Sequence, residues 1–435
     1  MKNRYLFNLA ALACSAAALG SCVDMMQEAH DAKIVEPISV AVQIKAVTGF
    51  VDSEGNGEPD PNIETSGLNV RFVNYDEDFV TETTTDEDGI AVAEVTPGNY
   101  TISVTGSTET EGTTYYLNGS VQNKALMTDV TPEEAAASKD YAVTIRPSRV
   151  GPLCFSEIFY AGSPGYYFRN QFYEIYNNGD EVYYLDFLCF AQLHPERATL
   201  TPPEWPAEEG SNNYVYGKVV WQFPGTGTDY PLYPGESVIL AQEAADHTKN
   251  QGGTGEYALM DNSKVEFEVW SGNAQRDNPD VPNMEYVFWA GSVNKVQWLT
   301  SVFGSAFCLY QPGMKLTYDD TSYWKLGETT QSPVGSSTQY AKIPAGQIID
   351  GIEFVDNSTM LNAKRIPGFV DAGAASVNAS YNNTGVTRKK IGEREDGTPI
   401  YQDTNDSTVD FENVTPPVHR RNGAKQPAWS WSLNE

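Results

Sequence analysis

From Ile38 the chain alternates in character. Ile38, Val40, Val42 and Ile44 fall on one side and Ser39, Ala41, Gln43 and Lys45 on the other, the period of two that a half-buried β-strand requires. The same short period returns at residues 68–72, 90–93, 100–104 and 141–145, each bounded by turn residues. One short helix is expected, from Pro132 to Lys139. Beyond residue 150 the apolar and aromatic runs are denser, at 154–158, 171–177, 184–186, 232–240 and 348–354, with further strands expected at 267–270 and 286–289. Short strands punctuated by turn clusters predict an all-β chain built from two successive β-sandwiches.

The N-terminus has a different pattern. Met1-Lys2-Asn3-Arg4 precedes an apolar stretch over 5–19. That is too short for a spanning helix, which needs roughly 20 residues, and has the three parts of a secretory signal. Leu19-Gly20-Ser21-Cys22 resembles the lipobox of bacterial lipoproteins. The resemblance implies removal of residues 1–21 and a diacylglyceryl group on the Cys22 thiol. Residues 22–36 then read as a polar tether. Val23, not Asp, follows Cys22, so the inner-membrane retention signal of some lineages is missing. An acidic stretch behind the lipidated Cys resembles surface-export tethers. The expected location is the outer membrane, at the cell surface, with the membrane partnered through the lipid anchor.

Composition sharpens this picture. With 435 residues, 40% of them hydrophobic, the chain has material for two or three domains. Tyr, Gly and Pro are plentiful, as in all-β proteins. The formal net charge is −30, and signal cleavage deepens it by removing Lys2 and Arg4. Such a surface repels phosphate backbones, which argues against a nucleic-acid partner.

Two stretches resemble known families. Thr85-Asp86-Glu87-Asp88-Gly89-Ile90-Ala91, followed by Val95-Thr96-Pro97-Gly98-Asn99-Tyr100-Thr101-Ile102, resembles the turn-and-strand pattern of prealbumin-like, carboxypeptidase regulatory-like domains. Gly89 and Gly98 are expected to supply positive φ at tight turns. The resemblance covers 37–147 and implies a spacer or docking sandwich. Arg146 to Pro152 reads as a linker. Cys154–Ile158, Gln171–Asn177, Tyr184–Asp186, Leu232–Leu240 and Ile348–Phe354 then resemble, in order, a bacterial lamin-tail-like domain. That implies an immunoglobulin-like sandwich over 151–435. The stretch 241–346 is unusually long for a connection and is expected as an insertion packed on the sandwich. The arrangement resembles an uncharacterised two-module family of surface lipoproteins, which brings no established activity.

Candidate chemistry is sparse. His30, His194, His247 and His419 are dispersed, and no H-E-x-x-H, G-x-S-x-G, Walker loop or C-x-x-C occurs. Ser292-Val293-Asn294-Lys295 matches S-x-x-K without the partner motifs of that enzyme class. Asp52 to Asp60 resembles the front half of a calcium loop, but its twelfth position is Ile63. An acidic hairpin is the simpler reading, and no metal or cofactor is assigned. Cys154, Cys189 and Cys308 lie in apolar surroundings and read as buried thiols, with one disulfide as the alternative. Asp406-Ser407-Thr408 resembles an O-glycan acceptor site, with Ser407 as acceptor in a polar loop, although an ordinary Asx-type turn is the preferred reading.

All eight Trp lie beyond residue 200. They suit either a large core or platforms that stack sugars and anchor interfaces. Trp429 and Trp431 fit a closing strand or an exposed clamp. Loops at 166–170 and 211–214 carry Tyr and Asn that suit ligand binding or simple end caps. The leading expectation is a non-enzymatic envelope lipoprotein that binds a glycan or outer-membrane protein through aromatic-rich loops. A surface hydrolase using carboxylates of the insertion and a structural envelope component are the alternatives.

Overall fold

The computed structural model describes residues 35–52, 57–199, 201–206, 213–249, 260–269, 272–291, 298–316, 323–357, 360 and 364–434. Cys22, the tether up to residue 34 and the S-x-x-K match lie outside them. Among the described residues no helix is long and apolar enough to cross a membrane. The fold is all-β.

The first sandwich contains β1 (Ile38–Val51), β2 (Gly57–Pro59), β3 (Asn69–Asn74), β4 (Phe79–Thr84), β5 (Ile90–Val95), β6 (Gly98–Thr105), β7 (Ser107–Thr110), β8 (Thr113–Leu126) and β9 (Ala142–Ser148). They hydrogen-bond in the order β2-β1-β9-β8-β6-β3-β4, with β5 against β1 and β7 against β8. Of the alternation read from Ile38, Val40, Val42 and Ile44 join Phe72, Ile102, Val143 and Ile145 in one buried core, but Ala41, expected on the opposite face, is buried in that core as well. The one helix here, α1 (Pro132–Ala137), is set by a capping box. Thr131 accepts from Glu134 N while the Glu134 carboxylate accepts from Thr131 N.

The two glycines of the turn-and-strand motif play different parts. Gly89 has φ +72°, and a Cβ there would lie 2.2 Å from Thr65 Oγ1. Asp86 Oδ1 caps the turn by accepting from Asp88 N and Ile90 N. Gly98, expected at positive φ, does not adopt it. Its glycine is required because a Cβ would lie 2.5 Å from the Asn74 amide. The expected linker is also shorter, since Arg146 to Ser148 remain paired with β8.

The second sandwich follows with β10 (Leu153–Phe159), β11 (Phe172–Asn177), β12 (Tyr183–Tyr184), β13 (Cys189–Leu193), β14 (Tyr214–Gln222), β15 (Pro231–Leu232), β16 (Ser237–Ala241), β17 (Phe267–Glu268) and β18 (Glu285–Trp289). It continues with β19 (Phe307–Tyr310), β20 (Thr330–Gln331), β21 (Tyr340–Pro344), β22 (Ile348–Ile352), β23 (Gly385–Arg388), β24 (Lys390–Glu393), β25 (Pro399–Tyr401) and β26 (Phe411–Val414). One sheet runs β17-β16-β11-β10-β23-β26 and the facing one β20-β21-β14-β13-β19-β22, with β18 on β14. The stretch expected as an insertion is therefore not an appendage. It supplies β19, which lies between β13 and β22, and β18 and β21, which pair with β14.

Both faces of the second sheet are covered, so its strands read as continuous apolar runs. On β13 and β19, Phe190, Phe307 and Leu309 enter the inter-sheet core, and Cys189, Ala191, Cys308 and Tyr310 enter a second core behind it. The first sheet carries acids on its outer face. Glu157 and Glu174 are buried there beneath the C-terminal tail. Arg421 Nε lies 2.8 Å from Glu157 Oε2, Arg420 N donates to Glu174 at 2.9 Å, and Arg420 Nη2 lies 2.8 Å from Glu266.

Candidate functional site

A bulge in β14 places the candidate site. Gln192 pairs with Val219 but Leu193 with Gly217, so Lys218 is one residue extra. Past it, the sheet face that carried Val219 and Trp221 into the core carries Tyr214 and Tyr216. Tyr216 sits opposite Lys342 on β21, so Tyr340 and Lys342 share that face. His194, just beyond β13, donates its backbone N–H to Tyr216 O at 2.7 Å. Trp205 arrives on a loop held by Val334 N donating to Glu204 O at 2.8 Å.

These rings form two stacks set at right angles. Trp205 lies on Tyr216 with centroids 3.4 Å apart and planes 7° from parallel. His194 lies on Tyr340 at 3.9 Å and 26°. Trp205 meets Tyr340 edge-on at 5.8 Å and 89°. Lys342 Nζ caps Tyr214, 4.5 Å from its centroid. Burial, with Lys218 and Arg365 nearby, pushes the His194 pKa down to about 4, so its ring is neutral at pH 7. His194, Trp205, Tyr214 and Tyr216 line a cleft of about 520 Å³, with Tyr340 stacked behind His194. Its opposite wall is Ser120, Gln122 and Asn123 of the first sandwich together with residues 364–368. The two sandwiches meet tightly here: a Cβ on Gly368 would lie 2.4 Å from Ser120 N. Arg365 braces the wall, ion-paired with buried Glu353 at 2.7 Å and donating to Pro195 O at 2.8 Å. Trp205 is half-buried, with one face covered by Tyr216 and the remainder toward the cleft. No sequence signal singled out this set, because His194, Trp205, Tyr216 and Tyr340 meet only through strand pairing.

The other residues raised by the sequence take less exposed places. Ser407 is not in an open loop. It begins the short helix α2 (Ser407–Asp410), is 4% exposed, and its hydroxyl donates to Asp371 at 2.6 Å. The folded chain does not present it for glycosylation, and the Asx-type geometry of Asp406, which accepts from Thr408 N, accounts for the motif. Trp429 and Trp431 form no clamp. Both pack on the inter-sheet core and donate their indole N–H to Pro231 O and Val265 O. Val51 pairs with Gly57, so the acidic 52–60 segment connects a hairpin, its tip at 53–56 lying outside the described residues. No metal-holding cluster occurs among the described residues. Cys154, Cys189 and Cys308 are buried free thiols, and burial pushes Cys189 up to about 12. In the 166–170 loop Tyr166 is exposed beside Tyr381, while Asn170 is buried and donates to Ser163. Of 211–214, Asn213 and Tyr214 are described.

Buried carboxylates gather elsewhere. Arg388, 2% exposed, lies 3.0 Å from Asp350, 3.0 Å from Asp403 and 3.5 Å from Asp410. Burial raises Asp403 to about 7 against the lowering influence of Arg388. Burial, with Asp371 and Asp410 nearby, raises Asp406 to about 6. Asp350, Asp403 and Asp410 surround a guanidinium rather than an open cleft, which is the arrangement of a structural knot.

The comparisons with known proteins agree with this architecture. Residues 233–418 match a family described as a protein of unknown function (DUF4876). The crystal structure of a DUF4876 family protein from Bacteroides thetaiotaomicron VPI-5482 is similar at 36% identity and TM-score 0.59, covering 91% of this chain and 100% of that one. A DUF3823 family protein from Parabacteroides merdae ATCC 43184 aligns at 9% identity over 37% of this chain and 67% of that one, with a TM-score of 0.15, too low to carry an argument. No curated protein matches the chain.

Proposed function

The chain belongs to the DUF4876 family, whose function is unknown, and we propose that it is a non-catalytic, lipid-anchored outer-membrane protein that binds a glycan in the aromatic cleft. On this reading Cys22 carries the lipid, and the first sandwich, of prealbumin-like type, serves as docking stalk. The second, of lamin-tail-like type, presents the site at the cell surface. The supporting observation is the group of four rings, His194, Trp205, Tyr214 and Tyr216, lining a cleft of about 520 Å³, within the size of small-ligand sites. Pyranose rings have apolar C–H faces and hydroxylated edges. Trp205 and Tyr214 offer flat surfaces for the faces, while Gln122, Ser120 and Glu204 line the same cleft with groups for the edges. Binding of this kind needs no activated acid or base, and the raised-pKa carboxylates Asp403 and Asp406 are committed to internal partners.

The test is calorimetric titration of the full-length protein in detergent with a panel of envelope and dietary oligosaccharides. Saturable binding weakened tenfold or more by Trp205→Ala and by Tyr214→Ala, with both variants folded, is expected. Absence of binding across the panel overturns the reading. Turnover of a saccharide, lost on changing one or two carboxylates, favours a hydrolase instead.

A further inference from the structure

A second, larger cleft lies at the same junction, and its charge is opposite to that of the molecule around it. The chain has 28 basic residues against 58 acidic ones. Yet two arginines, Arg146 and Arg149, converge on a cleft of about 870 Å³ between β9, the start of the second sandwich and the turn after β21. Among the residues lining it the one acid is Asp350, and that carboxylate is already used. Its Oδ2 accepts from Phe155 N at 2.7 Å and from Arg388 Nη2 at 3.0 Å.

Arg146 is the unusual group. Its side chain is half-buried, with the guanidinium 4.8 Å from the centroid of the Phe369 ring, and it makes no hydrogen bond or ion pair with any described residue. In the second sandwich, by contrast, Arg365 pairs with Glu353, Arg388 with three Asp, and Arg420 and Arg421 with Glu266 and Glu157. Burial lowers the pKa of Arg146, and no carboxylate acts on it in the opposite sense. Withdrawing a guanidinium from water without a counter-charge is costly, and the stack on Phe369 compensates for only part of that. The Phe369 ring covers one side of the guanidinium, leaving its N–H groups for a partner from outside the chain. Thr113 and Gln347 line the same cleft and add neutral donors.

We propose that this cleft binds an oxyanion, a carboxylate or a phosphate or sulfate ester carried by a small ligand, with Arg146 as the principal contact and Arg149 at the rim. A guanidinium matches the two oxygens of such a group with two parallel hydrogen bonds. The site is separate from the aromatic cleft and does not depend on the glycan reading.

The experiment uses the full-length protein in detergent, titrated calorimetrically with inorganic phosphate, sulfate and galacturonate, and with neutral galactose as control. One-to-one binding of at least one anion is expected. Arg146→Ala should weaken it tenfold or more, Arg149→Ala should weaken it less, and Arg146→Lys should retain part of it. Galacturonate alone binding identifies a carboxylate ligand; phosphate or sulfate binding identifies a tetrahedral ester. The melting temperature without ligand verifies that each variant is folded. Failure of all three anions to bind folded protein overturns the proposal. So does binding unchanged in Arg146→Ala, or galactose binding as tightly as galacturonate.

Discussion

Replacing Arg388 by Met should destabilise the protein strongly, and more at alkaline than at acidic pH. The side chain is 2% exposed and touches three buried carboxylates. It also donates to Phe155 O at 2.9 Å and to Gln402 O at 3.2 Å, and its guanidinium stacks on Phe411. Met preserves most of the volume, so the cost comes from leaving buried acids without a counter-charge. Removing one partner of a buried pair costs about 3–5 kcal/mol. At roughly 2–4 °C per kcal/mol for a large domain, the melting temperature falls by roughly 6–20 °C. The pH dependence follows from Asp403. Its folded pKa, about 7, is above the ordinary carboxylate value, so the native state holds the proton more tightly than the unfolded chain. Such a group loses stability as pH rises from about 4 through 7. Arg388 opposes that shift, so its removal steepens the loss and extends it to higher pH. Calorimetric scans of wild type and Arg388→Met at pH 5.5 and pH 8 measure this, and Arg388→Met/Asp403→Asn should recover part of the loss at pH 8. An equal drop at the two pH values, or a drop of only a degree or two, refutes the reasoning.

Cys22→Ala should move the protein from membrane to soluble fractions, and unchanged partition would reject the lipid anchor. Gly368→Ala pushes a methyl group toward Ser120 N and should cost about 1–3 kcal/mol, read as a lower melting temperature, while widening the aromatic cleft and weakening any ligand there. His419 has its pKa pushed down to about 3 by burial and by neighbouring Arg420. The unfolded chain therefore binds that proton more readily, and the contribution of His419 to stability is lost as pH falls from about 6.5 toward 3. His419→Gln should flatten the melting-temperature profile between pH 6 and pH 4. Reducing agent should leave the melting temperature within a degree or two, because Cys154, Cys189 and Cys308 are unpaired.

The sequence by itself determined the local elements: the period-two strand from Ile38, the helix capped at Thr131, the turn at Gly89 and the apolar runs of β10, β11 and β16. In each, the information lies within a few residues, where alternation or a capping side chain acts on its own backbone. It also marked Ser156-Glu157-Ile158 and Tyr173-Glu174-Ile175 as strands, but not that Glu157 and Glu174 are covered by a tail more than 200 residues later. Tertiary structure decided the rest. Pairing of β19 between β13 and β22 turned an apparent insertion into sheet. One extra residue at Lys218 redirected Tyr214 and Tyr216 from core toward cleft, and Ser407 passed from an apparent loop into a buried turn against Asp371. Both clefts are formed by segments far apart in the chain, and neither Trp205 nor Arg146 differs in sequence context from its fellows. What distinguishes them is which charges and rings the fold brings close, and which it leaves without a partner, a property of three-dimensional packing that short-range pattern does not carry.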